Sequence, residues 1–494
     1  MNKSKTPVII SISQSVVREK TPQPLDPYEM MAEQCIAVAD SAGIKNLNNI
    51  DTLYIVNCTS KNENFPSRRL SALLGITPKT TGYSWIGATA PQDFVNSAAR
   101  RISQGETETV LITGAEAFYA EEKNTDMANI ADFFSEKNQD DREPFFDDVI
   151  SPVSPIEFSY GLFQPVQLFA LMENALRSHK GNSIEEHTQE ISRYCSNMSS
   201  IAADNPYAWS QTPRTVGEIA NVDSNNRIVS FPYSKLMCSN IAVNQSSAIL
   251  ITSWAKAEQM GVAKDKMVFI RGFSEAKDIW HVTERPILWA SPSVRNAVDH
   301  ALSQASITLD EIKFLELYSC FPAAARITKE MLNIPDNDPR PLSITGGMQS
   351  FGGPGNNYTL HAICNAVEKC REEPDEFCLV QALSWYSSKH AVGIYSAQPG
   401  TQTLYSKLPK EKYASMKVLP KFEGKGLIDS YVIDFDRNGT PKSGIIIGRN
   451  AENQRFIAKN SSTGSKLNSM LQEEIIGREV TVTHSKSLNW FSMN

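Results

Sequence analysis

AVADSAGIKNLNNIDTLYI, from Ala37 to Ile55, and HALSQASITLDEIKFLEL, from His300 to Leu317, are two readings of one pattern. Each is a helical stretch ending in a small residue, then an Ile, a polar turn, another Ile and a strand. With one residue of slippage Ala42 meets Ala305, Ile44 meets Ile307 and Leu53 meets Leu315. The offset continues downstream: Pro91 falls on Pro354, each opening a helix-like stretch, and the β-rich runs Val110 to Ala115 and Phe377 to Leu383 match at a slightly larger spacing. A chain that repeats a strand-helix unit after roughly 260 residues is built from two copies of one α/β half. Such folds place their chemistry at the carboxyl ends of the strands, so the strand ends of both halves are where a site is expected.

The rest of the chain is read against that duplication. Strand-like runs at Val8 to Ile12, Leu53 to Val56, Gly82 to Ile86 and Thr109 to Thr113 alternate with helical stretches from Pro27, Arg68 and Pro91. This predicts a mainly parallel sheet covered on both faces. From about Phe118 to Pro213 the alternation breaks into an acidic turn (Asp140, Asp141, Glu143), several prolines and helical runs near Val166 to Leu176 and Ile184 to Ala203. That stretch reads as a loop domain (118–213) inserted into an N-terminal half of 1–262, with a C-terminal half at 263–400. After a Lys-rich connector, residues 421–494 change register to period-2 strands, with Asn438-Gly439 as a hairpin signal. Short strands with one helix near Leu467 to Glu474 predict a small β-barrel of the OB type. The polar connector suggests a separable module.

Composition narrows the function classes. The 494 residues are 41% apolar and 21% charged with a net charge of −7, which argues against whole-chain nucleic-acid binding. The apolar run at Val8 to Ile12 is too short for a signal segment and no run reaches the length of a membrane span, so a cytoplasmic protein is expected. The eight cysteines form no C-x-x-C pair, which speaks against a zinc ribbon or a thioredoxin-type site; free thiols and no metal are expected.

Four strings carry a resemblance. They are TLYIVNCTS with SWIGATAPQDFVNSAARRISQGETETVLITGAEAF (ending at Phe118), ELYSCFPAAA (Glu316 to Ala325), TGGMQSFGGPG (Thr345 to Gly355) and QALSWYSSKHAVGIYS (Gln381 to Ser396). In order and spacing, over residues 7 to 396, they resemble the thiolase superfamily. The YSCF, GGP and SKH strings with the barrel-like extension are similar to the thiolase-like protein type 1 group, which has an additional C-terminal domain.

The resemblance implies where a catalytic apparatus stands and what has happened to it. The nucleophilic cysteine falls at Ala88, the histidine of the G-H-P segment at Gly353, and the cysteine of the C-x-G strand end near Ser384. The Asn or His of the N-E-A-F or H-D-C-F motif falls at Tyr318, and the motif's cysteine at Cys320, which the resemblance implies faces the pocket. His390, in SSKH, has no counterpart in the family; beside a thiol it would complete a nucleophile and base pair. Gly352, Gly353 and Gly355 make a tight turn before a helix whose N–H groups would suit an acyl carbonyl. The family's pantetheine-side segment corresponds to Ser230 to Ala248, with Asn240, Asn244, Ser246 and Ser247 as candidate contacts. Loop-domain Arg177, His179, Lys180 and Arg193 would face the CoA phosphates, though Glu185, Glu186 and Glu190 dilute their charge.

The implied function is therefore an acyl-CoA-binding acyltransferase, similar to acetyl-CoA acetyltransferases of lipid metabolism, working through Cys320 and His390. The alternative is a catalytically inactive CoA or acyl-chain binder or scaffold. CoA or acyl-CoA enters as substrate or ligand rather than as a tightly bound cofactor. A homodimer, and a partner protein docked on the C-terminal domain, are further expectations.

Overall fold

A computed structural model describes residues 2–44, 47–122, 142–400, 413–460, 467–468 and 470–492. In chain order the strands are β1 (Pro7–Val16), β2 (Thr52–Ile55), β3 (Thr80–Tyr83), β4 (Thr109–Ala117), β5 (Ile228–Phe231), β6 (Tyr233–Ser234) and β7 (Asn244–Ser253). They continue with β8 (Val268–Lys277), β9 (Ile312–Leu317), β10 (Phe377–Ser384) and β11 (Lys389–Ser396). The last six are β12 (Val418–Leu419), β13 (Gly424–Phe435), β14 (Pro441–Arg449), β15 (Arg455–Asn460), β16 (Glu479–Ser485) and β17 (Leu488–Ser492).

The duplication is visible element by element. In the first half β1, the helix Pro27–Ser41, β2, the helix Pro66–Leu74, the helix Ala90–Gln104, β4 and β7 follow one another. In the second half β8, the helix Pro292–Ala305, β9, the helix Pro322–Met331, the helix Tyr358–Glu372, β10 and β11 repeat that order. Except for Tyr358–Glu372, each of these helices carries Pro in its first turn, where the missing N–H costs nothing because that turn has no intrahelical acceptor to serve. The two copies join through a short antiparallel contact of β1 with β8 into one nine-stranded sheet, β3-β2-β4-β7-β1-β8-β11-β10-β9.

The mainly parallel sheet expected from alternation is not what forms. In this sheet, among the described residues, β2–β3, β2–β4 and β9–β10 are parallel, while β1–β7, β4–β7, β1–β8, β8–β11 and β10–β11 run antiparallel. The reason is the last strand of each half. β11 returns from β10 through a tight turn with Trp385 and Ser387 in the left-handed region, and β7 returns to β4 after the inserted segment. The helices Ala90–Gln104 and Tyr358–Glu372 pack together on the sheet and share one apolar core.

The inserted segment holds the helices Pro165–Lys180 and Ile184–Asp204, where helical runs were expected; the second opens on a capping box of Ser183 and Glu186. Asp140 and Asp141 of the acidic turn lie outside the described residues, while Glu143 accepts the Ser67 N–H at 2.9 Å. In the C-terminal region β13, β14, β15, β17 and β16 pair in a closed ring, antiparallel except for β15–β17. The described strands thus close into a small five-stranded barrel. Of the helix expected near Leu467 to Glu474, the described residues show a helical start at Leu467 and Asn468 followed by turns.

Separability fails. β5, which follows the inserted segment, pairs with β13, so the barrel's sheet is extended by strands from the body. Along β14 and β15 the side chains divide strictly: Ile446, Phe456 and Ala458 fill the barrel, while Ile445, Ile447 and Ile457 join the largest core of the body. Ser430 donates to Leu171 O at 2.6 Å, Asn174 to Tyr431 O at 3.0 Å, and Asn489 N–H to the Tyr160 hydroxyl at 2.7 Å. The outward face of β14 and β15 is thus buried against the rest of the chain.

Candidate active site

The two halves meet where the strand ends of the first reach those of the second. Gly87 donates its N–H to Asn356 Oδ1 at 2.8 Å, and Thr359 Oγ1 donates to Ala88 O at 2.7 Å. Thr89, at the start of the helix Ala90–Gln104, donates its N–H to Ser384 Oγ at 3.0 Å, and the two hydroxyls lie 2.8 Å apart. Ala88 and Ser384, assigned from the sequence to the lost nucleophile and the altered strand end, are therefore brought together. The junction offers a methyl group and two hydroxyls that are hydrogen-bonded to each other.

Gly353 stands a short distance along the same edge. Its N–H donates to Asn240 O at 2.8 Å, and the Gly355 N–H is spent on Gly353 O at 2.7 Å. Neither N–H is therefore free for an acyl carbonyl, against the sequence expectation. The glycines are required by close approach: a Cβ on Gly353 would stand 2.1 Å from Ser239 Oγ, and one on Gly355 2.5 Å from Glu116 Oε1. Gly352 and Gly355 also take left-handed φ angles. Glu116 is fully buried and accepts from Thr59 N, Thr59 Oγ1 and Ser60 N at 2.7–2.8 Å.

Cys320 and His390 are not paired. Cys320 ends the connection from β9 and is partly exposed; burial of its sulfur pushes the thiol well above its ordinary range. His390 sits in β11, fully buried, and its ring is hydrogen-bonded on both nitrogens. Gln381 Nε2 donates to Nδ1 at 3.1 Å, so Nε2 carries the proton and donates to Ser291 Oγ at 2.9 Å, with Ser387 Oγ at 3.4 Å. Desolvation pulls its pKa down to about 4, which keeps it neutral at pH 7. Tyr318 packs edge-on against Tyr358 with ring centroids 5.6 Å apart and donates its N–H to Gln381 Oε1 at 3.2 Å.

The expected pantetheine contacts mostly lie inside the sheet. Asn244 is fully buried in β7 and exchanges hydrogen bonds with the Tyr119 backbone at 2.8–2.9 Å. Ser247 Oγ accepts from Asn357 Nδ2 at 3.0 Å, and Ser246 is equally buried, so a strand that packs on both faces leaves none of the three to a ligand. Asn240 alone stays partly exposed. The loop-domain cations are also engaged. Arg177 is buried against Glu474 of the barrel, Lys180 bonds Glu190 at 2.7 Å, and the His179 ring stacks on Trp289 at 3.6 Å, leaving Arg193 exposed.

A cleft of about 670 Å³ opens beside the Ala88 junction. Gly87, Thr89 and Ser384 form one end of it, and Ser384 is the one sequence-predicted site residue that lines it. Trp85, Phe146, Phe273, Trp280 and Trp385 supply apolar walls. Its charges are paired internally: Lys389 with Asp93 at 2.7 Å and Asp147 at 3.4 Å, Arg100 with Glu275 at 2.9 Å, and Lys277 with Asp148 at 3.3 Å. Sequence reasoning passed over Lys389, the neighbour of His390, and Asp93 in the first turn of the junction helix. The alternation of β11 was the available signal, since it turns Lys389 to the opposite face from His390. Among the described residues no group of three or more His, Cys, Asp or Glu is arranged to hold a metal ion, and no helix is long and apolar enough to cross a membrane.

With this geometry in place, comparisons locate the chain among known proteins. Residues 409–487 match the family described as the thiolase-like protein type 1 additional C-terminal domain. The whole chain is similar to the crystal structure of a monomeric SCP2-thiolase-like protein type 1 from Mycobacterium smegmatis, at 28% identity and a TM-score of 0.83, with 100% of both chains covered. Human mitochondrial 3-ketoacyl-CoA thiolase shares the fold at 14% identity and a TM-score of 0.57, over 81% of this chain and 100% of that one. An acetyl-CoA acetyltransferase from Syntrophomonas wolfei does so at 13% and 0.57, over 80% and 99%. No curated protein matches the sequence.

Proposed function

We propose that this chain, similar over its whole length to a thiolase-like protein of type 1 and matching that group's additional C-terminal domain, binds an acyl thioester without Claisen chemistry. The acyl end occupies the cleft beside Ala88. One observation carries this reading: the junction of the two halves is built, with Ala88, Thr89 and Ser384 in contact, yet it presents a methyl and hydroxyls where acyl transfer needs a thiolate and its base. The apolar walls suit an acyl chain, and the internally paired cations make the cleft a poor site for phosphates. Fold relatives named for 3-ketoacyl-CoA and acetyl-CoA support the ligand class.

Binding of CoA, acetyl-CoA and longer acyl-CoA thioesters, followed by calorimetry, tests the proposal together with intact-mass analysis. Affinity that rises with acyl length, no covalent adduct, and loss of binding in Ser384→Trp are expected. An acyl adduct on Cys320 would instead establish the acyltransferase reading. That reading has one observation in its favour, the partial exposure of Cys320 at a strand end. Equal affinity for CoA and every acyl-CoA would remove the cleft from the account.

A further inference from the structure

Of eight cysteines, six are fully buried; Cys238 and Cys320 are not. They come from distant parts of the chain. Cys238 follows the 3-10 turn Lys235–Met237, and Cys320 lies between β9 and the helix Pro322–Met331. They nevertheless meet, because the Ser239 N–H donates to Cys320 O at 3.1 Å. That bond holds the two backbones side by side, at the spacing of hydrogen-bonded chains, about 5 Å. A disulfide closes across Cα separations of about 4.4–6.8 Å. Both side chains pack against the same apolar cluster, and Cys238 is among the groups that act electrostatically on the Cys320 thiol.

We propose that Cys238 and Cys320 are a redox modification site, closing a reversible disulfide by exchange with a low-molecular-weight disulfide. In the first step one cysteine thiolate attacks a sulfur of the small disulfide, breaking its S–S bond, forming a mixed disulfide and releasing one small thiolate. In the second the other cysteine thiolate attacks the protein sulfur of that mixed disulfide and expels the second small thiolate. The protons lost by the two cysteines end on the two small thiols, so the protein is oxidised by two electrons and the reagent reduced by two. The new bond would tie the Lys235–Asn240 segment, whose Ser239 fills the hollow over Gly353, to the strand end that starts the helix Pro322–Met331. Cys238 leaves its present bond to Ser234 O, at 3.3 Å, to make it.

Burial raises the Cys238 thiol to about 12 and pushes Cys320 up as well, so only a small thiolate fraction attacks near neutral pH and the rate should climb about tenfold per pH unit. The test incubates the folded full-length protein with glutathione disulfide between pH 7 and 9 and maps cysteines by mass spectrometry. Expected is a linked peptide pair carrying residues 238 and 320, lighter by two hydrogens. Dithiothreitol should restore both thiols, and the link should persist in Cys195→Ser but vanish in Cys238→Ser and in Cys320→Ser. Glutathione left as a mixed disulfide on either residue without a link, a link joined to the buried Cys195, or no reaction of the folded protein at pH 9 each overturns the proposal. The mapping is done on the wild-type chain, so it does not depend on the variants folding, nor on which ligand the cleft binds.

Discussion

At Gly353 an added Cβ would lie 2.1 Å from Ser239 Oγ and 3.1 Å from Met348 Cε, while Ser239 Oγ has no hydrogen-bond partner among the described residues. Gly353→Ala should therefore cost about 1–3 kcal/mol through overpacking. Adding Ser239→Ala removes the clashing atom at little cost of its own and should recover most of the loss in urea unfolding. A single Gly353→Ala as stable as wild type would show that the turn is looser than this packing. His390 gives a second residue-scale prediction. Its folded pKa of about 4 lies below the unfolded value of about 6.5, so as pH falls the unfolded chain takes up a proton that the fold refuses. The sign follows: stability is full above about pH 6.5 and declines toward pH 4, by up to about 3 kcal/mol. His390→Gln should flatten that part of the pH dependence, read as the difference between the two proteins' urea midpoints. His361, pulled down to about 3 by burial, remains in both proteins and cancels in the difference.

At the scale of elements, three helices are fastened by one buried carboxylate. Glu173, on Pro165–Lys180, accepts from Tyr233 Oη at 2.7 Å, lies 2.9 Å from His187 Nε2 on Ile184–Asp204, and pairs with Arg326 on Pro322–Met331. Burial raises the Glu173 carboxyl, but Arg326, His187 and the Tyr233 hydroxyl together more than offset it and hold the group below its ordinary range. Glu173→Ala leaves Arg326 with Glu190 alone, at 2.7 Å, and should cost about 3 kcal/mol, since removing one partner of a buried pair strands the other charge. Combining it with Arg326→Met should restore part of the loss, because the stranded charge goes with it. A double variant less stable than Glu173→Ala would mean that Arg326 contributes mainly through its other contacts.

Across the whole molecule, the barrel and the body share one core. Val432, Ile445, Ile447 and Ile457 belong to the largest core, and Arg177 of the body is buried against Glu474 of the barrel. A chain ending at Gly400 should be insoluble or bind hydrophobic dyes, because those side chains leave apolar surface behind. A protease site engineered between Gly400 and Tyr413 should yield two fragments that co-elute from a sizing column until denatured. Fragments that separate in native buffer would restore the modular barrel that the polar connector suggested.

The duplication, the inserted segment and the small C-terminal barrel were legible in the sequence, because each rests on local periodicity and turn chemistry that a chain carries in its residue order. That Ala88 and Gly353 can themselves serve neither as nucleophile nor as base was legible too, since a methyl or a hydrogen cannot do so in any fold. A docked barrel was signalled only faintly, in the uninterrupted Ile445 to Ile447 run where a one-faced strand would alternate. Tertiary structure alone decided that His390 turns to Ser291 and Gln381 rather than to Cys320, because a strand residue's face depends on register with neighbours distant in sequence. It alone placed Asn244, Ser246 and Ser247 inside the sheet and Cys238 beside Cys320, for burial and contact between remote segments are properties of packing rather than of any one stretch of chain.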